Sequence, residues 1–511
     1  MRTLSRPSAA LLLITGFVLL KLLLHLFLID PIYDLHRDEY LHLDQANHLA
    51  GGYVSVPPLS SWVALLIKAL GNGTFWVKAF PALFGALTIT IAIAIVYDLG
   101  GGLFAQALTG IALIFSVILR INILFQPNSF DILAWTAIYY FLIRYVKTKD
   151  TKWLFACAVA MGFGFLNKYN ILFLFAGLLP ALLLTHPLLF LRRQTYLAGI
   201  LALFIVMPNL IWQWQNGFPV MSHMKELAET QLANNSRGQF LLEQALSFLG
   251  SFYLIVLGLL SLWRWPAFRA YRFVAYSFVI VLLIFTWQKA KGYYAFGLYP
   301  VLIAFGATYL EGKLRGKRFG LWLRPVLFLL TIGLFLPPFY ALFPVLSPPE
   351  IVKQSSRFKP FGVLRWEDGK DHLLPQDFAD MQGWKELAQK TERVFESLPD
   401  KQTTLVLCNN YGETGAINYY KSSRGFQAVS FNADYVSWFP MMDTITSVVR
   451  IKEEDDPVSV EEKQLFGVIK KMDSIENGYA REKGTVIYLM TASKANIASL
   501  IREKVKKVSG K

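Results

Sequence analysis

Acidic residues are scarce where the chain is most apolar. Residues 1–344 hold 12 Asp and Glu out of 35 in the 511-residue sequence. Charged residues make up 17% of the whole, hydrophobic residues 54%, and mean hydropathy is +0.41. A soluble globular chain is nearer to about 25% charged and about 45–50% apolar. This balance excludes a cytosolic globular enzyme, a disordered chain and a fibrous one. Cysteine is scarcer still. Cys157 lies in an apolar run and Cys408 in the polar C-terminal third. With one in a bilayer and the other outside it, neither a disulfide nor a thiolate metal site is expected. The formal charge of +15 invites a nucleic-acid partner, but its distribution rejects one. Residues 1–344 carry 26 Lys and Arg against 12 acids, whereas residues 345–511 carry 24 against 23.

What is abundant is aromatic and aliphatic surface, with 40 Phe, 23 Tyr and 13 Trp. That load suits a membrane protein with interfacial aromatic belts. Arg2 and Arg6 precede an apolar stretch over 9–29. At about 20 residues it exceeds a signal-peptide core of about 7–15, so it is read as a first spanning helix. Similar runs predict spans near 10–29, 75–97, 103–119, 128–145, 153–166, 170–185, 197–214, 246–263, 273–288, 297–311 and 325–343, about eleven in all. The apolar segment 59–70 is short and reads as an interfacial helix.

Loop charges orient these spans. With the N-terminus cytoplasmic, the inner loops carry Arg144, Lys147, Lys149 and Lys152, then Arg192 and Arg193, then Arg264, Arg269 and Arg272, and last Lys313, Arg315, Lys317, Arg318 and Arg324. Outer loops carry far fewer, as the positive-inside rule requires. An odd number of spans places the C-terminal region outside, in the periplasm of a bacterium. The expected organisation is a transmembrane domain over 1–344, with its first outer loop at 30–74, and a periplasmic α/β domain over 345–511. In the latter, β-rich runs at 404–408, 445–451 and 485–490 alternate with amphipathic helical stretches at 459–472 and 494–507.

Against that acid-poor background, five carboxylates crowd residues 30–44: Asp30, Asp34, Asp38, Glu39 and Asp44. His36, His42 and His48 share the segment. Carboxylates at a membrane edge are costly and point to function, although acids in an outer loop also serve as plain solvated residues. Asp, Glu and His are also metal ligands, and Glu39 with His42 has the i, i+3 spacing of a helical carboxylate–histidine pair. No second such pair accompanies it, so no metal site is assigned. A divalent cation assisting the chemistry stays open as the one cofactor. Downstream, Gly51-Gly52-Tyr53 and Pro57-Pro58-Leu59 mark a sharp turn before a short helix. The segment from Cys408 to Tyr420 follows a strand and opens a helix, but it has neither Walker nor G-x-G-x-x-G spacing, which excludes a nucleotide loop.

The order Asp38-Glu39-Tyr40, His48-Leu49, Gly52-Tyr53 and Pro57-Pro58-Leu59 resembles the first outer loop of family 39 glycosyltransferases. These are polyprenyl-phosphate-sugar enzymes that include the protein mannosyltransferases and the aminoarabinose transferase of lipid A. The likeness continues through Ala82–Ala86, the glycines after Leu99, Asn128-Ser-Phe-Asp131 with Trp135, Gly164–Tyr169, Pro208–Gln213 and Lys289–Tyr294 with Tyr299-Pro300, covering about residues 30–300. Asn167-Lys168-Tyr169 departs from the family's more usual Thr-Lys-His. The stretch 411–416 is similar to a Tyr-Gly-x-Ala-Gly-Ala segment in the outer domain of bacterial relatives.

The resemblance implies a polytopic α-helical membrane protein of the C-type glycosyltransferase fold, with a C-terminal α/β soluble domain. It implies an inverting transferase moving a sugar from a polyprenyl phosphate to an extracytoplasmic lipid, glycan or protein, in the inner (plasma) membrane. By likeness to the family's catalytic acid, Asp38 is the expected general base, with Glu39 the nearest competitor. A lipid-phosphate leaving group needs cations, and Arg37, Lys168, Lys289 and Lys291 are the candidates. Tyr293 and Tyr294 are candidates for sugar hydroxyls or a phosphate oxygen, and Lys and Tyr at this depth also serve as interfacial anchors. His42, His48 and Asp131 are candidates for binding acceptor or positioning the loop, Asp131 equally for a helix N-terminus. The rival readings are a transporter or flippase of lipid-linked saccharides and a non-catalytic envelope assembly factor.

Overall fold

A computed structural model describes residues 6–230, 232–422 and 425–509; Arg2, invoked above beside the first span, lies outside them. The chain divides into two compact units. One comprises residues 1–29, 56–60 and 75–343, and the other residues 30–55, 61–74 and 344–511. The loop assigned by sequence to the transmembrane domain thus groups with the C-terminal region, and the boundary expected after 344 falls after 343.

The first unit is helical throughout, and every expected apolar run coincides with a helix or a broken pair. Among the described residues, four helices are long and apolar enough to cross a membrane: Thr74–Asp98, Arg193–Gln215, Gly292–Leu314 and Arg318–Phe335. The pair Arg237–Ser247 and Leu249–Arg264, bent by 67°, makes a fifth if counted as one span. Most of the others are shorter apolar helices, such as Lys152–Asn167 and Ile171–Thr185, while Pro127–Thr148 has 22 residues. Only 11% of the hydrophobic window of Arg193–Gln215 is buried, and Phe204 and Trp214 stand 75% and 71% exposed. An apolar face of that extent is suited to lipid. Between neighbouring helices the contact is backbone to backbone. A Cβ at Gly258 would collide with the Leu302 carbonyl, and one at Gly306 with the Leu254 carbonyl. Small residues at a crossing let membrane helices approach where no hydrophobic effect drives them together.

The second unit carries a five-stranded sheet of β1 (Thr404–Cys408), β2 (Ala428–Ser430), β3 (Ser447–Lys452), β4 (Phe466–Ser474) and β5 (Val486–Ser493). The order is β2-β1-β3-β5-β4. β1 pairs parallel with β2 and β3, and β5 pairs antiparallel with β3 and β4. β1 is buried along its whole length, as an interior parallel strand should be. One expectation fails here. The amphipathic stretch 459–472 is a short helix, Val460–Leu465, followed by β4. The run Phe466-Gly-Val-Ile breaks helix propensity at Gly467, and its β-branched residues gain a ladder against β5 that a helix would forgo. The helix expected at 494–507 is present as Ile497–Ser509.

Candidate functional site

The acidic loop folds into a helix, Arg37–Asp44, whose N-terminus explains much of its charge. Glu39 is fully buried, and its Oε2 accepts from the backbone N–H of His36 at 2.7 Å, closing a capping box. Glu39 is thereby committed to its own helix. Asp34 accepts from the N–H groups of Trp384 and Lys385 at 3.0 and 3.2 Å. Asp44 accepts from Asn47 and Asn418 at 2.7 and 2.9 Å. His42 bonds Gln45 at 3.2 Å, and Gln45 donates to Asp434 at 2.9 Å. His48 stacks on Trp438 with ring centroids 4.2 Å apart. These residues tie the loop to the sheet-bearing part of their unit.

Asp38 is placed differently. Its side chain is 35% exposed. Oδ1 accepts from the Tyr411 hydroxyl at 2.7 Å, and Oδ2 lies 3.9 Å from His36 Nδ1. The Arg37 guanidinium covers the Tyr411 ring at 4.5 Å. Burial works against an ionised Asp38, but the charges of His36 and Arg37 and the Tyr411 hydroxyl outweigh it and hold its pKa below the ordinary carboxylate value. The result is a reachable carboxylate kept charged. Arg37, expected to meet a phosphate, is engaged with the carboxylates of its own unit, since Asp380, Asp38 and Glu482 all favour its charge.

Among the described residues, two groups have metal-compatible spacing: His36, Asp377 and Asp380, and Glu413, Glu453 and Glu482. The first fits a cation poorly. His36 Nδ1 accepts from the Asp38 N–H at 3.2 Å, so the ring proton falls on Nε2, the atom 3.7 and 3.6 Å from Asp377 and Asp380. Arg481 already sits 3.2 Å from Asp380. Burial by itself would lower the His36 pKa, and the carboxylates of Asp377, Asp38 and Asp380 more than offset it, so the net shift is upward.

The helical unit has its own polar cluster. Lys168 Nζ donates to Asn128 Oδ1 at 2.7 Å and lies over the rings of Tyr293 and Tyr294, 4.9 and 4.6 Å from their centroids. Asp131 accepts from Trp135 at 2.9 Å and from Asn170 at 2.8 Å, and Asn170 also donates to the Tyr294 carbonyl at 2.9 Å. Sequence motifs from three separate segments, 128–135, 164–170 and 289–294, therefore converge. Lys291 is half-buried near Lys168. Lys289 takes part through its backbone, with φ of +53° and its carbonyl accepting from Asn235 at 3.2 Å. Tyr169, at the position departing from the family pattern, bonds Asn209 and Gln213 at 3.0 and 2.8 Å.

Sequence reasoning missed Tyr411 as the partner of Asp38, and with it Asp380, Arg481, Glu453 and Glu482. The cap pattern Asn410-x-x-Glu413 was available as a signal. A further miss is Lys21, fully buried in the first helix although a lysine inside a span is itself a functional flag.

Comparison with known proteins bears on these placements. Residues 55–212 match the family described as dolichyl-phosphate-mannose-protein mannosyltransferase, a match that begins beyond Asp38. A lipid A galacturonosyltransferase, RgtD, of Rhizobium johnstonii is 26% identical over 241 residues, which cover 45% of this chain and 49% of that protein. The chain thus spans about half the length of the curated relative it matches. The crystal structure of ArnT from Cupriavidus metallidurans bound to undecaprenyl phosphate superposes with a TM-score of 0.64 at 14% identity, covering 94% of this chain and 98% of that one. The apo form of the same protein gives 0.63, covering 97% and 99%. At such identity the likeness is one of fold. The resemblance read from the sequence motifs is supported: residues 55–212 match a mannosyltransferase family of that kind, and the chain has the fold of ArnT over nearly its whole length.

Proposed function

We propose that the protein is an inverting, integral membrane glycosyltransferase that moves a sugar from a polyprenyl phosphate to a hydroxyl of an extracytoplasmic acceptor. The observation that carries this reading is the fold match to ArnT along almost the entire chain, in a structure bound to undecaprenyl phosphate. About eleven spans, a cytoplasmic N-terminus and a periplasmic C-terminal unit in the inner membrane belong to the same proposal.

In this reading Asp38 takes the acceptor proton as the hydroxyl oxygen bonds the anomeric carbon. The bond from that carbon to the phosphate oxygen breaks, and polyprenyl phosphate leaves. A carboxylate aids the step both as base and as a charge near the oxocarbenium-like centre. Tyr411 fixes one of its oxygens and helps to keep the carboxylate charged. In the helical unit, Lys168 stabilises charge growing on the leaving phosphate, with Tyr293 and Tyr294 flanking its ammonium and Lys291 adding positive potential. Asp131 orients Asn170 and the turn after Lys168. Glu39 contributes by capping the helix that bears Asp38, and His42 and His48 by anchoring the same loop.

The bend of 67° between Arg237–Ser247 and Leu249–Arg264 is the feature that a transporter reading would use. Mass spectrometry of envelope lipids and glycans from cells with and without the gene separates the two. Transfer predicts a sugar-bearing product that disappears on deletion. Unchanged glycan structures with redistributed lipid-linked sugar would reject it.

A further inference from the structure

The three glutamates beneath Tyr411 are unusual in how their oxygens are used. Glu413 is fully buried. Its Oε2 accepts from the N–H groups of Asn409 and Asn410 at 2.8 and 3.2 Å, capping the helix Tyr411–Tyr420. Its Oε1 is buried with no hydrogen-bond partner. The Asn410 side-chain amide donates to Glu453 Oε1 at 2.7 Å and to Glu482 Oε1 at 3.2 Å. One oxygen from each glutamate lies within 4.8 Å of the others. An unpaired buried carboxylate oxygen is expensive, and three carboxylates gathered around it compound the cost. Arg37 and Arg481 favour the charge of Glu482, but their charge is shared with Asp380.

We propose that Glu413, Glu453 and Glu482 form a calcium site that locks the turn presenting Tyr411 to Asp38. Three carboxylates are the donors a hard cation takes. Calcium, at about 2.3–2.6 Å from its oxygens, accepts irregular carboxylate shells, whereas magnesium demands near-ideal octahedral geometry at about 2.0–2.1 Å and keeps several of its waters. Glu453 is only half-buried, which leaves an approach for the ion and for waters completing its shell. The site adds to the transferase reading without depending on it, because binding is measured with no sugar present.

The test uses the full-length protein in detergent, stripped with chelator and titrated with calcium, magnesium or manganese by calorimetry and thermal melting. The expected result is one calcium per chain, a melting temperature raised by calcium and lowered again by chelator, and a weaker response to magnesium. Glu453→Gln and Glu482→Gln should each weaken calcium binding at least about tenfold, while Asp377→Asn leaves it intact. Glu413→Gln is a poorer probe because it also removes a helix cap. A stripped wild-type protein that neither binds calcium nor changes its melting would overturn the proposal. So would Glu453→Gln and Glu482→Gln variants that bind as wild type does.

Discussion

The two units handle buried charge in opposite ways. In the helical unit, carboxylates are few, and the principal cation of the polar cluster, Lys168, is met by two aromatic faces and an amide oxygen. In the other unit, carboxylates outnumber their cations around Asp38 and are satisfied mostly by backbone amides, Asn side chains and a tyrosine hydroxyl. A cation held by quadrupoles and a neutral amide, with the Asp131 carboxylate also acting on it, keeps much of its charge available to an incoming anion. A carboxylate held charged by neighbouring donors and cations, and partly exposed, is ready to take an incoming proton. The first arrangement suits a phosphate and the second a hydroxyl.

The contrast can be broken at Lys168. Lys168→Ala should lower transfer by about 10²–10³-fold, the scale of losing one donor to developing charge, and Lys168→Arg should recover part of it. A Lys168→Ala variant with wild-type turnover would remove the phosphate role. The effect next in size is at Tyr411. Tyr411→Phe removes a charge-assisted hydrogen bond, a loss of about ten- to a hundredfold in rate if it falls on the reacting state. Because that bond favours the ionised carboxylate, its removal raises the Asp38 pKa, and the acid limb of the kcat/KM profile should move to higher pH. An unshifted limb would detach Tyr411 from Asp38.

Asp434 sharpens the electrostatic side. Burial pushes its pKa up to about 6, despite hydrogen bonds from Val54 and Gln45. Between the unfolded value near 3.8 and the folded one, the folded chain holds the extra proton, so this group's contribution to stability shrinks as pH rises from 5 to 7. The melting temperature of wild type relative to Asp434→Asn should therefore fall over that interval, and a rise would refute the assignment. The smallest expected effect is at Glu39. Glu39→Gln weakens a cap and should cost about 1 kcal/mol of stability, with transfer per folded molecule retained. Loss of activity in a stably folded Glu39→Gln would restore it as a candidate base.

The apolar runs and the crowded loop were legible because both are one-dimensional: a helix that meets lipid writes its length into the sequence, and five acids in 15 residues stand out against an acid-poor background. Their division of labour was not legible. Glu39 and Asp38 are neighbours in sequence, yet one caps a helix and the other meets Tyr411, 373 residues away. The trio Glu413, Glu453 and Glu482 is spread over 70 positions and assembled only by the sheet. The convergence of Asn128, Lys168 and Tyr294 was legible only as separate motifs in order. β4 was misread because its charged and apolar residues fit a helical period as well as a strand, and only pairing with β5 decides between them.

The most direct measurement is sugar transfer by purified wild-type and Asp38→Asn proteins, supplied with polyprenyl-phosphate sugars and envelope acceptors, with melting curves recorded alongside. The expected result is a new glycosidic bond of inverted anomeric configuration with wild type and none with Asp38→Asn at matched stability. Undiminished transfer by a folded Asp38→Asn protein would contradict the role given to this carboxylate.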